Sequence, residues 1–203
     1  MTMVKIKLVR QVESRLPSSY GEFHVYAFSE LADDKMPHVV LLNVDTDFEK
    51  PVTVRIHSEC LTGDVFHSLR CDCGEQLDES MEYIKLHGGV LIYLRQEGRG
   101  IGLIEKLKAY NLQDEGLDTF EANTALGHQE DERDFTPSIQ ILKDLNIHEI
   151  DLITNNPAKL EIFYDSGIVV RNRIDLAIPY TNENRDYLLA KVKKKGHFLN
   201  RIL

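Results

Sequence analysis

The chain has 203 residues, 42% hydrophobic and 28% charged, enough for one domain with a real core or two small ones. Its 24 basic residues against 33 acidic ones leave a net charge of −9, which repels a phosphate backbone at long range and sets nucleic-acid binding aside. No apolar run reaches the roughly 18 residues of a membrane span, so no membrane contact is expected.

In chain order, Met1 to Leu8 alternates apolar and basic residues and reads as a strand, without the long apolar stretch of a signal peptide. Phe23 to Phe28, His38 to Val44 and Val52 to Ile56 carry the β-formers of three further strands. A helix follows the cysteines, with Leu77, Met81, Ile84 and Lys85 at helical spacing and Gly88-Gly89 as its stop. Val90 to Leu94 reads as a buried strand, and Arg95 to Gly100 as a charged, glycine-rich turn. A second helix spans about Ile101 to Asp114, with Leu103, Leu107 and Tyr110 on one face. Pro137 to Leu145 is a helix turning Ile139, Leu142 and Leu145 inward, and Ile150 to Ile153 a strand. Asn156-Pro157 starts a helix that Gly167 ends, Ile168 to Val170 is a strand, and Asn184 to His197 a basic helix.

The fold class is therefore mixed α/β. It has a β-rich N-terminal part, a mixed sheet with flanking helices, and strand-helix-strand alternation in the C-terminal third. No repeat or Gly, Ser or Pro linker divides the chain, so residues 1–203 read as a single domain.

The three cysteines all fall in one segment, Cys60-x10-Cys71-x-Cys73. Three cannot all pair as disulfides, and no secretion signal is present, which points to a reducing cytoplasm. Thiolates are strong zinc ligands, and three of them leave a fourth position open for water, whose acidity zinc raises toward neutral pH for hydrolysis. Two other readings stay open: a structural zinc completed by His57 or His67, and three inert buried cysteines. Cys-Asp-Cys needs a turn to aim both thiols at one point, and Gly74 is placed to help make it.

Arg55-Ile-His-Ser-Glu-Cys-Leu-Thr-Gly-Asp64 and Ser68-Leu-Arg-Cys-Asp-Cys-Gly74 resemble the zinc segment of the GTP cyclohydrolase II family. The resemblance continues through Arg95-Gln-Glu-Gly-Arg99, Ala109 to Asp114, Asp118-Thr119, Glu121-Ala-Asn123, Asp131 to Phe135, Thr154-Asn-Asn-Pro157 with Lys159, and Lys195-Gly-His197. It runs from about residue 5 to 197 with the motifs in order.

The resemblance implies a zinc-dependent hydrolase that opens the imidazole ring of GTP at the start of riboflavin synthesis. The products are formate, pyrophosphate and a diaminopyrimidine ribosyl phosphate. It implies one zinc per chain on Cys60, Cys71 and Cys73 plus water, and magnesium with the triphosphate. GTP contacts fall on Arg55, Ile56, His57, Ser58, Glu59, Gln76, Glu97, Gly98, Arg99, Thr119, Thr154 and Lys159. Asp131 takes the role of proton acceptor, Arg133 that of nucleophile toward the α-phosphate, and Tyr110 lies near the ring chemistry. A homodimer is implied, and a monofunctional enzyme, since no synthase segment precedes the family's motifs.

Each residue also has an ordinary reading. Single arginines and lysines are usually surface charges. Glu97-Gly-Arg-Gly is at least a turn, Thr154-Asn-Asn-Pro at least a helix start, and Tyr110 by spacing a core residue. GTP gives a reason to gather the cations, because arginine meets phosphate oxygens bidentately and a helix start favours anions. A guanidinium stays protonated near neutral pH, so charge alone makes Arg133 a clamp rather than a nucleophile. The dense acidic stretch Glu130 to Asp134 suggests a moving lid.

Overall fold

The computed structural model describes residues 7–176 together with 184, 188, 189, 192 and 196–198. Seven strands, β1 (Val9–Ser18), β2 (Gly21–Ser29), β3 (His38–Asn43), β4 (Val52–Ser58), β5 (Val90–Leu94), β6 (Glu149–Ile153) and β7 (Val169–Ile174), form one sheet in the order β1-β2-β3-β5-β4-β6-β7. The half from β1 to β5 pairs antiparallel, and β5, β4, β6 and β7 pair parallel. The expected mixed α/β class is what the chain adopts.

Alternation along the strands sorts side chains onto two faces. Val52, Val54 and Ile56 of β4 join Val90, Ile92 and Leu94 of β5 and Ile150 and Leu152 of β6 in the main core. That face is covered by Ile141 and Leu142 of α5 (Pro137–Asp144). The other face carries Phe23 and Leu91, covered by Met81 and Ile84 of α2 (Cys73–His87). Arg55 and His57, out of phase with the β4 core residues, therefore lie on the α2 side.

Between these run α1 (Leu61–Asp64), a 3-10 turn at Glu97–Gly100, α3 (Gly102–Asp114), α4 (Thr119–Ala125) and, after β6, α6 (Ala158–Glu161). The Gly88 N–H closes α2 on the Ile84 carbonyl at 2.8 Å with φ at +74°. Gly89 follows at φ +133°, where an added Cβ would lie 2.5 Å from the Thr53 carbonyl oxygen, so only glycine joins α2 to β5 this closely.

Several expectations change. Lys7 and Leu8 are not in a strand, and the first described strand is β1; residues 1–6 lie outside those described, as does most of the segment expected as a C-terminal helix. Leu107 is 45% exposed, and α3 turns Ala109 inward instead. The helix at Asn156-Pro157 lasts only from Ala158 to Glu161, long before Gly167, although the Asn156 side chain does accept the Ala158 N–H at 3.0 Å. The last strand extends to Ile174, past Val170. Helix α4 was not foreseen, yet Asp118 and Glu121 form a full capping box there.

His38 joins the fold to the site. Its Nδ1 accepts the Arg95 N–H at 3.0 Å at the end of β5, and burial pushes its pKa below the ordinary 6.5. The unfolded chain takes up a proton that the folded imidazole refuses. Stability is thus fully present above about pH 6.5 and lost as pH falls through the lower folded value. Urea midpoints are expected to be flat from about pH 8 to 7 and to fall below about pH 6.5, with a shallower fall in His38→Gln.

Candidate active site and metal centre

The parallel strands deliver their carboxyl ends to one side of the sheet, the usual place for a ligand in such folds. β4 leads into Ser58, Glu59 and Cys60, β5 into the Glu97–Gly100 turn, and β6 into Thr154 and Asn156. The cleft they share encloses about 1220 Å³ including its open mouth. Every residue expected at the site lines this cleft except Ile56, whose side chain is fully buried in the main core.

Cys60 precedes α1, Cys71 lies in the following loop, and Cys73 opens α2, so two helix starts and a strand end bring the thiols together. Their sulfurs lie within 4.8 Å of one another, with Cys60 and Cys71 at 3.7 Å. Among the described residues this metal-type group contains no histidine or carboxylate, and His57 instead turns its Nε2 to Asp64 Oδ1 at 3.0 Å. Three soft donors converging with no fourth protein ligand fit a tetrahedral zinc with one open position. The neighbouring Cys71 and Cys73 thiols, with the Lys106 ammonium, hold Cys60 far below the usual thiol range. The Cys60 thiolate in turn pushes Cys71 up to about 12 and raises Cys73 as well, burial adding to both.

Two glycines permit this convergence. A Cβ on Gly63 would sit 2.9 Å from Cys71 Sγ and from Cys73 Cβ, and one on Gly74 only 2.5 Å from the Gly63 carbonyl oxygen. Gly74 therefore serves close helix contact inside α2, not the turn expected of it. Gly63→Ala is expected to cost about 1–3 kcal/mol by overpacking and to lower zinc per chain, read by urea titration and metal analysis.

Asp64 organises the strand end. Its Oδ2 accepts the Cys60 N–H at 3.0 Å and the Tyr93 hydroxyl at 2.7 Å, while Oδ1 meets His57. Burial keeps His57 neutral, and the carboxylate assigns its proton to Nε2. Arg55 is buried too, donating to Gln76 Oε1 at 2.6 Å while Gln76 donates to Asp72 at 2.5 Å. Burial lowers Arg55 to about 10, leaving it cationic at neutral pH. Arg55 Nε and His57 Nδ1 are buried without a hydrogen-bond partner among the described residues, and such atoms at a cleft call for a ligand or water.

Lys159 is only 6% exposed, and its ammonium donates to the Ile56 carbonyl at 2.8 Å. Arg55 and Lys159 are thus not the surface charges that single cations usually are. Gly98, Arg99 and Gly100 take φ of 63°, 63° and 96° in succession. Arg99, the non-glycine among them, is held in a left-handed conformation with its guanidinium 4.2 Å from the Phe120 ring centroid.

Arg133 meets Asp131 in a fork, Nε to Oδ1 at 2.8 Å and Nη2 to Oδ2 at 2.6 Å. Burial alone raises Asp131, but the Arg133 bonds outweigh it and hold the carboxyl below its usual range. The acidic stretch around them is pinned, with the Glu132 N–H on the Arg99 carbonyl at 2.9 Å and the Asp134 N–H on Gln96 Oε1 at 3.1 Å. Tyr110 lies on the cleft wall, its hydroxyl 3.2 Å from Thr62 Oγ1. Burial raises its pKa, so it keeps its proton.

Sequence reasoning missed Lys106, Arg70, Phe120 and Asn156, which also line the cleft. Lys106 had a signal: it stands one helical turn before Tyr110, on the same face of α3.

The fold and cleft define an α/β protein in which a three-thiol, metal-type centre faces a pocket rich in buried cations. The chain belongs to the GTP cyclohydrolase II family, whose sequence profile matches residues 9–175. It is 48% identical over 194 residues to the riboflavin biosynthesis protein RibBA of Bacillus cytotoxicus and 50% identical over 194 residues to that of Bacillus cereus. Each match covers 95% of this chain and 49% of the relative. The chain thus spans about half the length of the curated relatives it matches. Among solved structures, RibBX, a two domain 3,4-dihydroxy-2-butanone 4-phosphate synthase from A. baumannii, superposes with a TM-score of 0.47 at 17% identity. That match covers 86% of this chain and 42% of the other.

Proposed function

We propose that this chain hydrolyses GTP in riboflavin biosynthesis, opening the imidazole ring and releasing formate and pyrophosphate. The observation that carries the reading is the placement of an open three-thiol centre and buried cations on one cleft. Cys60, Cys71 and Cys73 would hold zinc. Bound there, zinc supplies Lewis acidity that activates water for attack on an electron-poor ring carbon.

The remaining work falls to the chain's own groups. Arg99, Arg133 and Lys159 supply cations for a triphosphate accompanied by magnesium, and Arg133 presents the planar fork suited to phosphate oxygens. Asp131 aims that fork, and as an ionised carboxylate it is also the proton acceptor of this reading. Arg55, with Gln76, and the cleft residues Ser58, Glu59, Glu97, Gly98, Thr119 and Thr154 complete the GTP contacts. Neutral His57 offers the lone pair of Nδ1. Tyr110 Oη, protonated, donates a hydrogen bond near the ring chemistry. Ile56 contributes through its carbonyl, which fixes the Lys159 ammonium.

The reading includes a single domain over residues 1–203 and a cytoplasmic setting. That the described strands share one sheet supports the single domain, and no described helix is long and apolar enough to cross a membrane. It also includes a homodimer, to be checked by sedimentation.

The test is to incubate zinc-loaded protein with GTP and magnesium and assay both small products together. Formate and pyrophosphate in equal amounts are expected. Pyrophosphate alone would mean a reaction that stops before ring opening. Neither product from protein with confirmed zinc would overturn the reading.

A further inference from the structure

Lys106 has no part in the GTP contacts proposed above. It lies on α3, and its side chain is 11% exposed. Its ammonium donates to Glu97 Oε1 at 2.8 Å and to Cys60 Sγ at 3.1 Å. A buried ion pair with Glu97 is the simpler account, but Glu97 is already satisfied by the backbone. Its Oε2 accepts the Leu61 N–H at 2.6 Å and its Oε1 the Gly98 N–H at 2.7 Å. The carboxylate is therefore a fixed post that steers the ammonium, and the direction in which it steers is the sulfur. Gly98 makes room for the lysine stem, because a Cβ there would lie 3.1 Å from Lys106 Cβ.

The charge balance gives the contact a purpose. A divalent ion held by three thiolates leaves one negative charge over, in a pocket where water screens it poorly. An ammonium bonded to one of those sulfurs offsets that charge and fixes the direction of the sulfur, as partners behind a metal ligand generally do. We propose that Lys106, aimed by Glu97, is a positioning residue of the three-cysteine centre that holds Cys60 as a ligand and balances the charge of the loaded site. This inference rests on the zinc reading above.

The test compares zinc-loaded wild type with Lys106→Met, whose stem fills the same space without a charge, and with Lys106→Arg. Zinc release is followed with excess chromophoric chelator, and cobalt-substituted protein is examined by absorption. Lys106→Met is expected to release zinc about 10- to 100-fold faster and to shift the thiolate-to-cobalt charge-transfer band to lower energy. Lys106→Arg, which keeps a cationic donor, restores most of the retention.

A folded Lys106→Met with wild-type release and spectrum overturns the proposal. So does an arginine variant no better than methionine, since that would make the role one of packing. Should Lys106→Met not fold, Glu97→Gln carries the test: faster release is expected, and an unchanged rate overturns the proposal. Wild type that holds no zinc at all sinks the functional reading itself, whereas zinc held equally by wild type and variants sinks only the role of Lys106.

Discussion

Cys71→Ser is expected to abolish formate release, by at least roughly 10³-fold, which corresponds to several kcal/mol of lost Lewis-acid stabilisation at about 1.4 kcal/mol per decade. Cys71 is buried, with its sulfur 3.7 Å from that of Cys60 and 2.9 Å from where a Cβ on Gly63 would sit. Serine offers a harder, shorter donor that stays protonated at neutral pH, so two thiolates would remain to hold zinc. The cations Arg99, Arg133 and Lys159 sit on other elements of the same cleft. Pyrophosphate release is therefore expected to survive in part while formate and bound zinc fall together. Metal analysis beside the two product assays checks this. Formate at the wild-type rate from the serine variant would remove zinc from the ring chemistry.

The cysteine centre was legible because its information is local. Three thiols in one short segment, with none elsewhere, announce a shared purpose from spacing alone. What spacing left open was the fourth ligand: among the described residues no histidine joins the three thiols, and His57 is turned toward Asp64, with Tyr93 on the same carboxylate. The central strands were equally plain, since Val52, Val54 and Ile56 of β4 alternate as β-branched core residues and β5 is a short apolar run, most of it buried. β1 was not foreseen, for the opposite reason. Nearly all of its residues are exposed, so its pattern carries no alternation, and pairing with β2 places it.

Helix α3 misled because Leu107 has the right spacing and the wrong environment. Ala109 is buried there, while Lys106 turns to the cleft. The burial of Arg55 and Lys159 was not legible, because it depends on α2 and on the end of β4, far away in sequence. Resemblance to a family placed Tyr110 at a site where helical spacing alone made it core. Physical reading of the sequence missed Lys106, since its spacing puts it on the face of Tyr110 but does not say that it will meet a cysteine on another element.

Arg133→Lys is the second large effect. A lysine keeps the positive charge but loses the planar fork, so the substitution separates charge from geometry. Pyrophosphate release is expected to fall about 10²- to 10³-fold, the scale of removing one aimed donor from a developing charge, with a smaller rise in KM for GTP. The fork to Asp131 favours the clamp over the nucleophile. A guanidinium hydrogen-bonded at 2.8 and 2.6 Å to a carboxylate held below its usual range keeps its proton, because that carboxylate is a weak base. We therefore propose that Arg133 acts as a clamp aimed by Asp131. Rapid quenching of wild type with GTP, followed by intact-mass measurement, is expected to show unmodified chain. A guanylyl adduct on Arg133 would mean that GTP binding breaks the fork and frees the nitrogen to attack. Asp131→Asn is expected to slow pyrophosphate release as Arg133→Lys does, since an amide cannot accept both arms of the fork. An asparagine variant at full speed would show that Arg133 needs no aiming from that side chain, and near wild-type turnover in Arg133→Lys would dispose of both the clamp and the adduct.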